Sequence, residues 1–250
     1  MTTDIDYDHS LNLHTLDGAR AAFSKLTGGV LPASVLDVGC GTGTWLRAAL
    51  DQGLTDVFGI DGVPIPHGQL LIPANVFQCF DLTQPVKLGR KFDLALCLEV
   101  AEHLDQAHAD TLLATLTQHA DYILFSAACP GQPGQHHVNC QWPRWWQQRF
   151  NSLGYACDDE IRWKLWDEIA VEPWYRQNIF AARKDLRRAS REPRLKEVIH
   201  PEMLRLFAEA SFLTAIENGS MSVPWYLQIP FRALATKVSR RAHATAPLKD

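Results

Sequence analysis

Three glycines at alternate positions, Gly39, Gly41 and Gly43, follow directly on the short apolar run Val35-Leu36-Asp37-Val38. Glycines so spaced let a backbone turn sharply and approach a ligand without Cβ collisions, and a helix opening at Thr44 would offer that ligand its free N–H groups. A nicotinamide loop of the form G-x-G-x-x-G, counted from Gly39, needs glycine at position 44, where this chain has Thr44. Asp37 adds something a dinucleotide loop does not need. Its carboxylate can pair, directly or through water, with the ammonium group of an amino-acid ligand. Asp61, closing the run Val57-Phe58-Gly59-Ile60 and followed by Gly62, is placed to accept from both hydroxyls of a ribose. Asp81, after Phe77-Gln78-Cys79-Phe80, is placed to accept from an adenine amino group.

A second set of residues carries acid–base potential. His136 and His137 sit in a loop rich in breakers, Pro130-Gly131-Gln132-Pro133-Gly134-Gln135, and an imidazole titrates in the range that suits proton removal near neutrality. They are the candidate catalytic residues, His137 before His136. Glu99, Glu102 and His103 stand at i, i+3 and i+4, so one helical turn would place them on a single face. Two carboxylates and an imidazole could hold a divalent cation, and oxygen ligands would suit Mg²⁺, although the spacing does not select it and no metal ligand is assigned from it. Trp142, Trp145 and Trp146 follow the histidine loop at helical spacing. They fit either a core stripe or the wall of an acceptor pocket.

These groups need elements to hold them. Val35–Val38, Val57–Ile60, Val76–Cys79, Phe92–Leu98 and Tyr122–Ser126 read as strands, Thr44–Gln52 and Gln106–His119 as helices, and the alternation implies parallel strands with right-handed crossovers. Leu16–Leu26 has helical apolar spacing and stops at Gly28-Gly29. Trp142–Leu153 reads as a helix and Tyr175–Ala182 as a final antiparallel strand. From Arg183 to Arg191 five of nine residues are basic, which marks a boundary; beyond it Pro201–Phe212 looks helical and Ile229–Arg241 basic and weakly amphipathic. The expected organisation is a helical segment at 1–30, a cofactor-binding domain at 31–182 and a basic, mainly helical extension at 183–250.

The block Val35-Leu36-Asp37-Val38-Gly39-Cys40-Gly41-Thr42-Gly43 resembles motif I of class I S-adenosylmethionine-dependent methyltransferases, and Phe92 to Leu104 resembles the segment after their fourth strand. With Asp61 and Asp81 the resemblance covers about residues 30 to 182. It implies a Rossmann-like, doubly wound α/β fold with a seven-stranded sheet whose last strand is antiparallel, and a cofactor pocket at the strands' C-terminal ends. Carried over residue by residue, Gly39, Cys40, Gly41 and Gly43 would line the methionine and ribose side. Asp61 with Gly62 would hold the ribose, Asp81 with Leu82 would flank adenine, and the stretch Cys97-Leu98-Glu99 would pass beneath the methionine end. Glu99, Glu102, His103 and His137 together also resemble the metal site of small-RNA 3′-terminal 2′-O-methyltransferases, although metal-free relatives share the Glu-x-x-Glu-His stretch.

The expected activity is O-methylation of a hydroxylated small metabolite or a glycan sugar, with S-adenosyl-L-methionine as methyl donor. The rivals are a metal-dependent RNA 2′-O-methyltransferase and a non-catalytic S-adenosylmethionine-binding sensor or scaffold. Charge weighs against nucleic acid, since residues 1–182 hold 11 basic and 21 acidic side chains. Residues 183–250 hold 13 basic and 7 acidic, a balance compatible with peripheral contact to an anionic membrane. Six cysteines without a C-x-x-C pair, an acid-rich start and no apolar run of membrane-spanning length imply a cytoplasmic protein with no transmembrane segment. Oligomeric state and the acceptor's identity are not encoded in any spacing.

Overall fold

A computed structural model describes residues 7–228 of the chain. Seven strands, β1 Ser34–Val38, β2 Asp56–Asp61, β3 Phe77–Cys79, β4 Leu94–Leu98, β5 Tyr122–Ser126, β6 Tyr155–Asp158 and β7 Phe180–Lys184, form one sheet in the order β3-β2-β1-β4-β5-β7-β6. β1 to β5 pair in parallel, and β7 runs antiparallel to both β5 and β6. All residues of β1 and β4 are buried. A central parallel strand is covered on both faces, which is why these segments read as continuous apolar runs rather than alternating ones. Asp37 is the one charged residue within β1, and its register opposite Gly59 and Leu96 fixes it at the centre of the sheet.

The two faces are covered by different helices. Leu112, Leu113 and Leu116 of α3 (Ala109–His119), with Trp146 and Phe150 of α4 (Pro143–Ser152), pack on one face. The other carries α1 (Leu16–Leu26), α2 (Thr44–Asp51), α5 (Glu160–Leu165) and α6 (Pro173–Asn178) through Phe23, Leu46, Leu165 and Tyr175. The helix starts follow local chemistry. Thr15 caps α1 by accepting from the Gly18 amide at 3.0 Å, and prolines open α4 and α6, where a missing N–H costs nothing.

The seven-stranded doubly wound sheet is as expected, and so is its antiparallel strand. The details differ after residue 154. The segment expected as a strand at Tyr175–Ala182 divides into α6 and then β7, because Pro173 starts a helix that uses Tyr175 as a core side chain. The strand Tyr155–Asp158 fills the sheet's edge beyond it, and β7 continues across the expected edge at 182/183 to Lys184.

The chain divides into two compact units, residues 1–204 and 205–250. α7 (Pro201–Glu217) opens within the first, where Met203 is buried. In the second, Phe212 meets Trp225 edge to face and the Tyr226 hydroxyl donates to the Ile216 carbonyl at 2.8 Å. The basic stretch Ile229–Arg241 lies outside the described residues.

Candidate active site

β1 ends at Val38, and the loop that follows is shaped by glycine. Gly39, Gly41 and Gly43 have φ of 79°, 52° and 87°, the left-handed region that side chains avoid. A Cβ on Gly39 would lie 2.4 Å from a Val100 methyl, so the loop packs where only hydrogen fits. The Gly39 and Cys40 amides both donate to the Ile60 carbonyl, at 2.8 and 3.1 Å, which ties the loop to β2. Cys40 turns inward, and its sulfur lies beneath Gly59, close enough that a Cβ there would meet it at 2.7 Å. Its thiol is therefore a core group, pushed well up by burial, and the loop backbone is what it offers to a ligand.

Asp37 is 2% exposed, and its Oδ2 has no hydrogen-bond partner. Burial, and then the neighbouring charge of Asp61, push its carboxyl up to about 8. An ionised carboxylate buried there without a partner is costly, so the group keeps its proton unless a cation arrives to pair with it. Asp61 Oδ2 accepts from the Gly41 amide at 2.7 Å, and Oδ1 accepts from the Val63 amide at 2.9 Å and faces His9 Nε2 at 3.5 Å. Gly62 beside it is buried. Leu82 (4% exposed) and Leu98 (6%) are buried in the apolar clusters on the two sides of the sheet. Asp81 spends one oxygen locally, accepting from the Thr83 amide and hydroxyl at 2.9 and 2.6 Å.

Across the sheet, Glu99 follows β4 with φ of 55°, and its amide donates to the Ser126 carbonyl at 3.0 Å. Its carboxylate accepts from Gln132 Nε2 at 2.8 Å and Asn178 Nδ2 at 3.1 Å. Glu102 and His103 lie on the 3-10 turn Ala101–His103. The Glu102 carbonyl accepts from the amides of Val138 and Asn139, at 2.9 and 3.1 Å, which bolts the histidine loop to that turn. As a result His137 faces His103, ring centroids 5.1 Å apart. Burial, then the charge of His137, holds the His103 imidazolium down to about 4, and burial lowers that of His137. Both rings are neutral near pH 7. The exposed His136 sits at φ 48° and does not join them.

Trp146 is a core side chain, 1% exposed, packed on Phe125. Trp145 lies edge to face against Trp146 with the Arg149 guanidinium over its ring. Trp145 and Trp146 therefore pack α4 on the sheet, while Trp142 precedes the helix, half-buried.

The structure adds residues that spacing could not reveal. Tyr7 touches the rings of both His9 and His103 edge-on. His9 lies against Gly41 as well as Asp61, Gln135 bonds the Asp8 backbone, and His14 Nε2 meets the Thr44 hydroxyl at 3.1 Å. The strap Tyr7–His14 thus crosses the glycine loop and joins it to the histidine loop.

The buried carboxyl of Asp37 has room for a cation, and Asp61 stands beside the glycine loop, where the resemblance would put the ribose. An adenosyl amino acid brings both groups, and the class is a Rossmann-like enzyme that uses S-adenosylmethionine. The chain belongs to the methyltransferase-domain family, which it matches over residues 11–168. Among solved structures it is similar to the plantazolicin methyltransferase BpumL, solved with a pentazolic substrate analogue and S-adenosylhomocysteine (17% identity, 72% of this chain and 88% of that one, TM-score 0.50). It is also similar to DesVI of Streptomyces venezuelae (14% identity, 66% and 91%, TM-score 0.50). A curated relative, the ribosomal RNA large subunit methyltransferase E of Caulobacter sp. (strain K31), is 38% identical over 53 residues. That stretch is 21% of this chain and 22% of the relative, so the chain spans about a fifth of its length.

Proposed function

We propose that the chain transfers the methyl group of S-adenosylmethionine to a hydroxyl oxygen of a small metabolite or a glycan sugar. The observation that carries this reading is the pair of neutral, half-buried imidazoles, His103 and His137, fixed beside the cofactor cradle by the Glu102 carbonyl. The cofactor supplies an activated methyl on a sulfonium. What the chain must add is alignment, worth up to about 7–11 kcal/mol for well-oriented groups, and a place for the hydroxyl proton. In this reading Asp37 and Asp61 orient the donor, and His137, neutral and half-buried, is the group that takes the proton of the acceptor hydroxyl. His136, exposed on the same loop, is left as a contact to the acceptor.

The curated relative's name points to an RNA acceptor, but 11 basic against 21 acidic side chains in residues 1–182 give phosphate little to bind. We also infer a cytoplasmic setting, supported by six free cysteines. Among the described residues no helix is long and apolar enough to cross a membrane.

The test is release of S-adenosylhomocysteine across a panel of sugars, phenols, amines and RNA. Turnover on hydroxylated small molecules, lost in His137→Ala with cofactor affinity unchanged, is expected. Turnover confined to amines or RNA would overturn the reading, and cofactor binding without any turnover would make the chain a sensor.

A further inference from the structure

We propose that the segment leaving β7, which opens at Leu186 and carries Arg187, Arg188, Arg191 and Arg194, docks the protein on an anionic lipid bilayer. β7 ends at Lys184, and a tight turn follows over residues 186–191. The Asp185 carboxylate accepts from the amides of Arg187 and Arg188, at 3.0 and 3.1 Å, and the Asp185 amide donates to the Gly154 carbonyl at 3.0 Å. A methyl of Leu186 lies over Gly154, 2.4 Å from where a Cβ would stand. Leu186 is nonetheless 78% exposed, and Leu153, which precedes Gly154, is 40% exposed. A single exposed leucine is ordinary; one held outward by a clasped turn among unpaired cations is not.

Charge selects the class of partner. Arg187, Arg188, Arg191 and Arg194 are all exposed, and among the described residues none of them forms an ion pair. The acids around them serve the fold. Glu192 accepts from Gln147, Asn151 and the Cys157 amide, Asp185 clasps the turn, and Asp121 pairs with Lys91 and Lys184. Asp158 is half-buried and is the acid whose charge Arg188 meets. The surface is left with a net positive charge that is free to meet an anion.

Apolar exposure then selects the partner itself. Guanidinium groups suit the phosphates of a nucleic acid as well as those of lipid headgroups. Leucines gain nothing from a phosphate backbone, whereas at a bilayer they enter the boundary between headgroups and acyl chains while the arginines stay among the headgroups. The position of the turn fits such a role. Lys184 is in register with Tyr155 and Arg183 with Tyr122, so the turn lies at the edge where the parallel strands begin. The glycine loop and Glu99 follow the ends of β1 and β4, at the opposite edge, and remain uncovered when a bilayer meets the turn. This docking is independent of the proposed O-methylation.

The full chain is sedimented with vesicles of phosphatidylcholine and phosphatidylserine in equal parts, and with vesicles of phosphatidylcholine alone. We expect it to bind the anionic vesicles, to ignore the neutral ones, and to be released when salt is raised from about 0.1 to about 1 M, which shortens the Debye length from about 10 to about 3 Å. Each Lys or Arg near an anionic leaflet tightens binding by about fivefold, so Arg187→Glu, Arg188→Glu and Arg191→Glu together should weaken it at least about a hundredfold. Leu186→Ser should weaken it about tenfold. Both variants should melt with the wild type, which reports that they fold, and should bind S-adenosylhomocysteine as the wild type does. No binding to anionic vesicles, equal binding to neutral ones, or arginine variants that bind undiminished would overturn the proposal. Leu186→Ser that binds as the wild type does, with RNA displacing the vesicles, would make the turn a nucleic-acid contact instead and overturns it too. So does a dimer in sedimentation velocity that Leu186→Ser disperses, since a second copy would then cover this face.

Discussion

Asp37 is the side chain at which the proposed cofactor contact is most directly tested. In the ligand-free chain its carboxyl, pushed up to about 8, is protonated near pH 6, whereas pairing with an ammonium requires it ionised. Affinity for S-adenosylhomocysteine should therefore rise between about pH 6 and pH 8, by up to about tenfold per unit, and calorimetry at three pH values reads this directly. The ligand-free fold holds the same proton more tightly than the unfolded chain, so its stability falls as pH climbs through that window. Asp37→Asn removes both effects. It should weaken the cofactor by roughly tenfold to a hundredfold, the worth of a ~1.5–3 kcal/mol charged hydrogen bond, and leave the ligand-free melting temperature at pH 7 unchanged or higher. Affinity that does not vary with pH would show that no ion pair forms there. The place of this residue, buried at the end of a central strand before the loop, was legible because strand, carboxylate and glycines are adjacent in sequence. The roles of Tyr7, His9, Gln132 and Asn178 were not, since each depends on a contact that no local spacing encodes.

At the scale of elements, the glycine loop is held tight because the chain leaving β4 packs against it at Val100. Gly39→Ala would force a Cβ to 2.4 Å from Val100 while keeping a φ of 79°, a double strain. The left-handed backbone alone costs about 1–2 kcal/mol and overpacking a further ~1–3, so the melting temperature should drop by several degrees and cofactor binding should fail. A variant that melts like the wild type would mean the loop relaxes freely. The same scale explains which elements could be read. α1, β1, α2 and β5 were legible to within about a residue because a cap, a glycine or a clean period bounds each. The segment 173–184 was not. Its apolar residues Tyr175, Ile179, Phe180, Ala181 and Ala182 serve two successive elements, and the signal that separates them is Pro173, which opens a helix. β6 was missed for a related reason: four residues directly after Gly154 look like the continuation of a turn.

For the whole molecule, the question is what the catalytic fold needs from the basic C-terminal part. Sequence composition placed an edge at 183, where charge changes sign, but charge records what faces solvent and not where packing stops. Leu195 and His200, past that edge, are buried, and His200 lies against Trp166 while Arg176 pairs with Glu202 at 2.8 Å. A chain ended at 183 would leave the fully buried Arg162 without the Lys196 carbonyl that it donates to at 3.0 Å, and Arg176 without Glu202, so it should fold poorly. Beyond Met203, by contrast, no described residue is buried. A chain ended after Leu204 should therefore keep its cofactor affinity, and its melting temperature should stay within the ~2–4 °C that 1 kcal/mol is worth at this size. Thermal melts and cofactor calorimetry on the two truncations test this together. If the 204 variant collapses like the 183 variant, the second unit is part of the catalytic fold; if it holds, the catalytic fold is complete by residue 204, and turnover on a small acceptor should survive loss of the second unit.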